Sequence, residues 1–320
     1  MPVVGRQLVH GYYDYQEIRK KCMNRIRDII RKIDKGIEFN EVEDKQDKKL
    51  YLKEYSDSKL LKILEKVQKE KKLNKDEYEY IRATIDLAMR SKKIEKEYKN
   101  KMMVFVEEEE IYNQFLKHIK GIAPVITACL VSEIEYCEDF DSVSKLWRYA
   151  GMHLVCPECI ETVERKNGKA KIPLCTDEKG ICPKCGKKGV SEKRRKGCRI
   201  SHNPRLKKLV WLITKSFIYQ KTPLYYEIYE KEKKRQKDIK YPKGVLKKRY
   251  SGYKETDTQL SKGHAHSRAK RKVGKIFLQH YWVKAREIKG LKTGKPWQFE
   301  HGDKEHTNYI SWQDALEANQ

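Results

Sequence analysis

From Asp76 to Ile119 the chain reads DEYEYIRATIDLAMRSKKIEKEYKNKMMVFVEEEEIYNQFLKHI, with no glycine or proline in it. Tyr80, Ile81, Ile85, Leu87 and Ala88 recur at the steps of one helical face, and Asp76 stands where an N-cap is expected. Toward the N-terminus, Leu60, Leu61, Ile63, Leu64 and Val67 mark a second helical stretch over 58–73. Ile18, Cys22, Ile26, Ile29, Ile30 and Ile33 mark a third, over 16–37, with a basic outer face. Asn40 to Lys49 is a polar, charge-dense connection, and the first twelve residues show no lasting period, leaving room for at most one short strand. Residues 1–94 therefore read as an N-terminal helical hairpin or coiled coil, able to pair with a second copy. Charge runs such as EKVQKEKKLNKDE are solvated faces with i,i+4 pairs and carry no chemistry.

On the other side, Lys120-Gly121-Ile122-Ala123-Pro124 punctuates the helix before VITACLVSEI restarts it, which predicts two helices joined by a glycine turn. A Cys-rich insert follows (156–185), then a basic stretch (186–208), an apolar helix (Leu206 to Gln220) and a second basic linker (231–263). The last helix spans about Ala265 to Lys289. It begins on the basic run SRAKRKVGK and carries Val273, Ile276, Phe277, Tyr281, Trp282 and Val283, aromatic positions that read as core. The tail from 290 to 320 is irregular. The expected fold is mainly α: the helical N-terminal region, a helix-hairpin-helix-containing domain over 95–289, and a small ribbon inserted at about 153–190.

Charge decides the class of partner. Lys and Arg total 72 against 46 Asp and Glu, a formal charge of +26. That excess repels itself unless a polyanion or counterions neutralise it, so nucleic acid is the expected partner, with a solvated Lys- and Glu-rich surface as the plainer alternative. The chain has no apolar run of about 18 residues and no signal-peptide pattern at its start, so a cytoplasmic protein without a membrane partner is expected.

In that setting the nine cysteines point to metal rather than disulfides. Cys156-Pro-Glu-Cys159 and Cys182-Pro-Lys-Cys185-Gly186 are two CPxC knuckles, each aiming two thiolates at one point; together they complete the tetrahedron of a structural zinc ribbon with no coordination position left open. Cys175 reads as a bystander, and Cys22, Cys129, Cys137 and Cys198 as small apolar residues.

Two features point to DNA. At the 120–124 turn, Gly121, Ile122 and Ala123 would let the backbone approach a phosphate, with the N–H groups of the next helix as donors. The second is SEKRRKGCRISHNPRLKK, where Lys193, Arg194, Arg195, Lys196, Arg199, Arg205, Lys207 and Lys208 fall within 16 positions.

Taken in order, these residues resemble the C-terminal domain of the bridge-RNA-guided insertion-sequence transposases, the "IS one-ten" family. KGIAPVITACLVSEI is similar to that family's P-G-I-G-P-x-T-A turn and helix, LWRYAGM (146–152) to its YAGL element, KRRKGCRISHNPRLKKLVW to its GRIS loop, and TPLYYEIY (222–229) to its PLxxxYxR close. The resemblance covers about 95–285 and implies a mobile-element protein acting in DNA recombination. It also implies a serine nucleophile, for which Ser191 is the candidate and Ser201 the fallback. Two departures stand out: the ribbon is an insertion, and the family's N-terminal four-carboxylate nuclease domain has no counterpart in residues 16–119. The expectation is thus a DNA-binding protein with structural zinc. The alternatives are a recombinase component working with Ser191 or with a nuclease in trans, and a protein that binds structured RNA.

Overall fold

The computed structural model describes residues 2–35, 59–70, 72–165, 168–177, 180–250, 252–295, 299 and 309–320. The chain is mainly α-helical with one three-stranded sheet, and it divides into two compact units, Val3–Val104 and Phe105–Gln320. The 40–49 connection and residues 296–298 and 300–308 of the tail expected over 290–320 lie outside the described residues.

The first unit holds α1 (Pro2–Lys35), α2 (Leu60–Lys69) and most of α3 (Lys75–Glu107). Its core takes Cys22, Met23, Ile26 and Ile30 from α1, Leu60 and Leu64 from α2, and Ile81, Ile85 and Ala88 from α3. These are three- and four-residue steps, so each helix presents one stripe. Arg19 pairs with Glu95 at 2.8 Å, Tyr15 stacks on Tyr98, and Gly11 leaves room for the Tyr98 ring, since a Cβ there would lie 2.4 Å from it. No strand forms at the N-terminus: α1 begins at Pro2, and Val9 and Gly11 face the core as part of the helix. The start of α3 also differs from expectation. Asn74 caps it: its side chain accepts from the Glu77 amide while Glu77 accepts from the Asn74 amide, a reciprocal capping box that leaves Asp76 inside the first turn.

The helix expected to run unbroken to 119 stops at Glu107, within a run of four glutamates. It resumes as α4 (Glu110–Gln114) and a single 3₁₀ turn, Leu116–His118. The break turns Ile111, Phe115 and Leu116 into the core of the second unit. There follow α5 (Pro124–Ile134), α6 (Val143–Tyr149), β1 (Leu154–Arg165), β2 (Gly168–Cys175) and β3 (Val190–Ser191). Next come α7 (Pro204–Gln220), α8 (Tyr225–Asp238), α9 (Val245–Arg249), α10 (Lys262–Ile288) and α11 (Trp312–Glu317). Three helical stretches are unexpected: the second half of α8 and all of α9 fall in the basic linker, and the tail ends in α11, closed by a Ser311–Asp314 capping box.

Helix α10 is the axis of this unit. Phe277 meets Phe217 and Tyr225 edge-on, while those two rings stack at 4.4 Å. At Gly274 an added Cβ would lie 2.8 Å from Val210, so the missing side chain is what lets α7 approach. Three α10 side chains also satisfy the 135–140 loop, in which Glu135 and Cys137 hold positive φ. Tyr281 donates to the Glu135 carbonyl, Trp282 to that of Phe140, and Arg286 to those of Cys137 and Phe140. The sheet order is β2-β1-β3, antiparallel throughout.

Candidate metal centre and basic loop

The two knuckles arise differently. Cys156 to Cys159 sit in β1 where its pairing with β2 slips between Val155 and Ile160, so the strand bulges and both thiols turn to one side. The second knuckle is a tight turn: Cys182 N–H donates to the Lys187 carbonyl, Gly186 N–H to the Cys182 carbonyl, and Gly186 takes φ +67°, which a glycine adopts freely. Lys187 reaches across to Glu158 and ties the knuckles together.

All four sulfurs lie within 4.8 Å of one another, with Cys156 and Cys185 3.5 Å apart. A tetrahedral thiolate site with metal–sulfur bonds of about 2.3 Å requires sulfurs about 3.8 Å apart, so the quartet fits. Burial pushes the Cys156 thiol up, but the amides of Cys159 and Glu158, with Cys185 and Cys182, outweigh it and bring the pKa down to about 6. Cys159 is pushed the other way, to about 12, by its bond with Cys185 and by burial. A metal bound by the four sulfurs would displace the remaining thiol protons. Cys175 stays outside the quartet. Cys22, Cys129 and Cys137 are buried, and Cys198 is half-buried in the loop.

The basic stretch forms a closed loop from 192 to 202 whose base is a single carboxylate. Glu192, its side chain 1% exposed, accepts from the Ser201 amide (2.7 Å), the Ser201 hydroxyl (2.8 Å) and His202 Nδ1 (2.5 Å). Burial raises its pKa, but these donors lower it further than burial lifts it. His153 Nε2 lies 3.0 Å from the Ser201 hydroxyl, and burial holds that imidazole down to about 4, neutral at physiological pH. Arg195 donates to the Cys156 carbonyl, which fastens the loop to the first knuckle, and Arg271 donates to the carbonyls of Met152 and His153. On the outside, Lys193, Arg194, Lys196 and Arg199 are exposed, and among the described residues none has a carboxylate partner.

The other candidates are dispersed. Arg205 is exposed in the first turn of α7, which Asn203 caps. Lys207 is half-buried beside His202. At the 120–124 turn Gly121 takes φ +93°, and Ser216 and Thr222 donate to the carbonyls of Gly121 and Lys120. Ile122 turns its side chain inward, Ala123 is exposed, and no side chain caps α5. Ser191 lies exposed on β3, accepting from Arg271 at 3.3 Å. Among the described residues the Cys quartet is the one group of three or more His, Cys, Asp or Glu arranged to hold a metal.

Sequence reasoning missed the roles of Glu192, His153, His202 and Arg271. The signal for Glu192 was a single acid at the head of a basic run; nothing local marked the others. No family model, curated protein or solved structure matches the chain. No described helix is long and apolar enough to cross a membrane.

Proposed function

We propose that this chain is a DNA-binding protein of the insertion-sequence transposase type, holding duplex DNA through the 193–199 loop and the amides at the start of α5. One observation carries the reading. Lys193, Arg194, Lys196 and Arg199 stand exposed, without carboxylate partners among the described residues, on a loop fixed at its base by Glu192. A fixed array of uncompensated cations suits phosphates, because little ordering remains to be done on binding. Zinc is the metal that four thiolates in a closed tetrahedron favour, and its role is structural: Cys156 to Cys159 would anchor Arg195 and thereby the loop.

The test is the affinity of the purified chain for a labelled duplex as salt is raised. Four phosphate contacts give a log–log slope of about −3.6, steeper if Arg205 and the α5 amides add to them. A slope near zero, or no binding at low salt, overturns the proposal.

A further inference from the structure

The outward face of α7 carries Lys208, Trp211, Lys215 and Tyr219, three or four residues apart, opposite the face that buries Leu209, Ile213 and Phe217. Trp211 is 50% exposed and Tyr219 75%. Lys215 Nζ sits 5.3 Å from the Trp211 ring centroid and 5.4 Å from that of Tyr219. From α10, Lys270 brings its ammonium to 4.1 Å above Trp211.

Lys270 makes this more than a decorated surface. It is only 8% exposed, and among the described residues neither Lys270 nor Lys215 pairs with a carboxylate. An ammonium taken out of water beside a second ammonium is costly, and one indole face compensates it only in part. Burial and Lys215 both lower the Lys270 pKa, the direction expected where negative charge is missing. A ligand that offers an anion next to a flat ring would match these lysines and rings. Single-stranded DNA supplies both, a phosphate for the lysines and a base for the indole or phenol, and stacking of this kind tolerates any base.

We infer that Trp211, Tyr219, Lys215 and Lys270 form a stacking platform for unpaired DNA bases, on the helix that leads out of the duplex-binding loop. It rests on the reading of that loop as a DNA interface. A strand leaving the loop would meet Arg205 and Lys208 first and then the two rings, about 12 Å apart along the helix axis.

The experiment compares three labelled probes, a short oligo-dT, an oligo-rU of the same length and a blunt duplex, by fluorescence anisotropy. The proteins are the wild type, Trp211→Ala, Trp211→Phe, Tyr219→Ala and a loop variant with Lys193 and Arg194 changed to Gln. Trp211→Ala should weaken oligo-dT binding roughly 5- to 150-fold and leave the duplex unchanged, with Trp211→Phe restoring part of the loss. The loop variant should weaken the duplex. A wild type that binds neither oligo-dT nor the duplex refutes the DNA reading itself. A wild type that binds both, with Trp211→Ala weakening neither or both alike, refutes the platform alone, as does capture of oligo-rU in preference to oligo-dT.

Discussion

Replacing Glu192 by Ala tests whether the basic loop is held by one carboxylate. Glu192 receives three hydrogen bonds in a site its own side chain barely exposes to water. After truncation the Ser201 hydroxyl keeps His153, but the Ser201 amide and His202 Nδ1 lose their acceptor. Each buried donor left unpaired costs about 1–3 kcal/mol, so with the lower bound for both donors a loss of about 2 kcal/mol is expected. Glu192→Gln keeps an acceptor for the amide but turns an NH₂ toward the remaining donors, and should lose about half as much. Titration adds a signature. Because the folded carboxyl is held below its ordinary value of 4.5, its stabilisation is complete above that pH and disappears as pH falls through the depressed pKa. Wild type and Gln variant should therefore converge in acid. Urea denaturation of the metal-loaded protein measures the loss, and hydrogen exchange of the Ser201 amide localises it. A Glu192→Ala protein within about 0.5 kcal/mol of wild type, with unchanged exchange at Ser201, would refute the reasoning.

The quartet should bind one zinc per chain, and Cys182→Ser should release it and expose residues 156–185 to protease; elemental analysis of protein prepared without chelator checks this. Acid should weaken the second unit from near neutrality. His280, fixed between the Tyr225 hydroxyl and the Ile310 carbonyl, is held by burial to about 4 against 6.5. The unfolded chain therefore takes up the proton first, and about 2 kcal/mol is lost between pH 7.5 and 5. His153 adds a loss in the same direction, so His280→Gln should remove roughly half of that pH slope in denaturation curves. Glu232, held to about 2 despite burial by Arg235, Gln236 and Lys272, should keep its contribution until the pH falls below its ordinary 4.5. For Ser191, beside Arg271 and with no carboxylate cluster of metal-binding form among the described residues, the chain alone should leave supercoiled plasmid uncut with or without Mg²⁺. Nicking that Ser191→Ala abolishes would put the enzyme reading first.

The features legible in the sequence were those whose cause is local. Helical stripes such as Ile81, Ile85 and Ala88 show because burial on one face imposes a period, and the cysteine quartet shows because metal geometry imposes a spacing. The N-terminal helix was hidden by Val3, Val4, Tyr12 and Tyr13, residues of strand preference, while the packing that favours helix there falls on Val9 and Gly11. The break after Glu107 was hidden because its reward lies in Phe115 and Leu116 reaching a distant core. Helix α11 could have been found, since Ser311-Trp-Gln-Asp314 is a capping pattern in plain text. The collar around Glu192 could not: it joins residues 153, 192, 201 and 202 through a fold that only the whole second unit creates.

The central place of α10 has a consequence for how the chain is made. The helices of the second unit close around a segment that the ribosome delivers after nearly all of its partners, whereas the knuckles are complete once Cys185 has emerged. At a synthesis rate of about 5–20 residues per second, α10 trails Cys185 by roughly 5–20 s. During that interval the metal can order the hairpin while Phe217 and Tyr225 still wait for Phe277. If the quartet takes up metal at that stage, the hairpin would be the first folded piece of the unit. Nascent chains arrested between Cys185 and Lys262 should resist protease across 154–191 only when zinc is supplied, and protection without zinc would reverse that order.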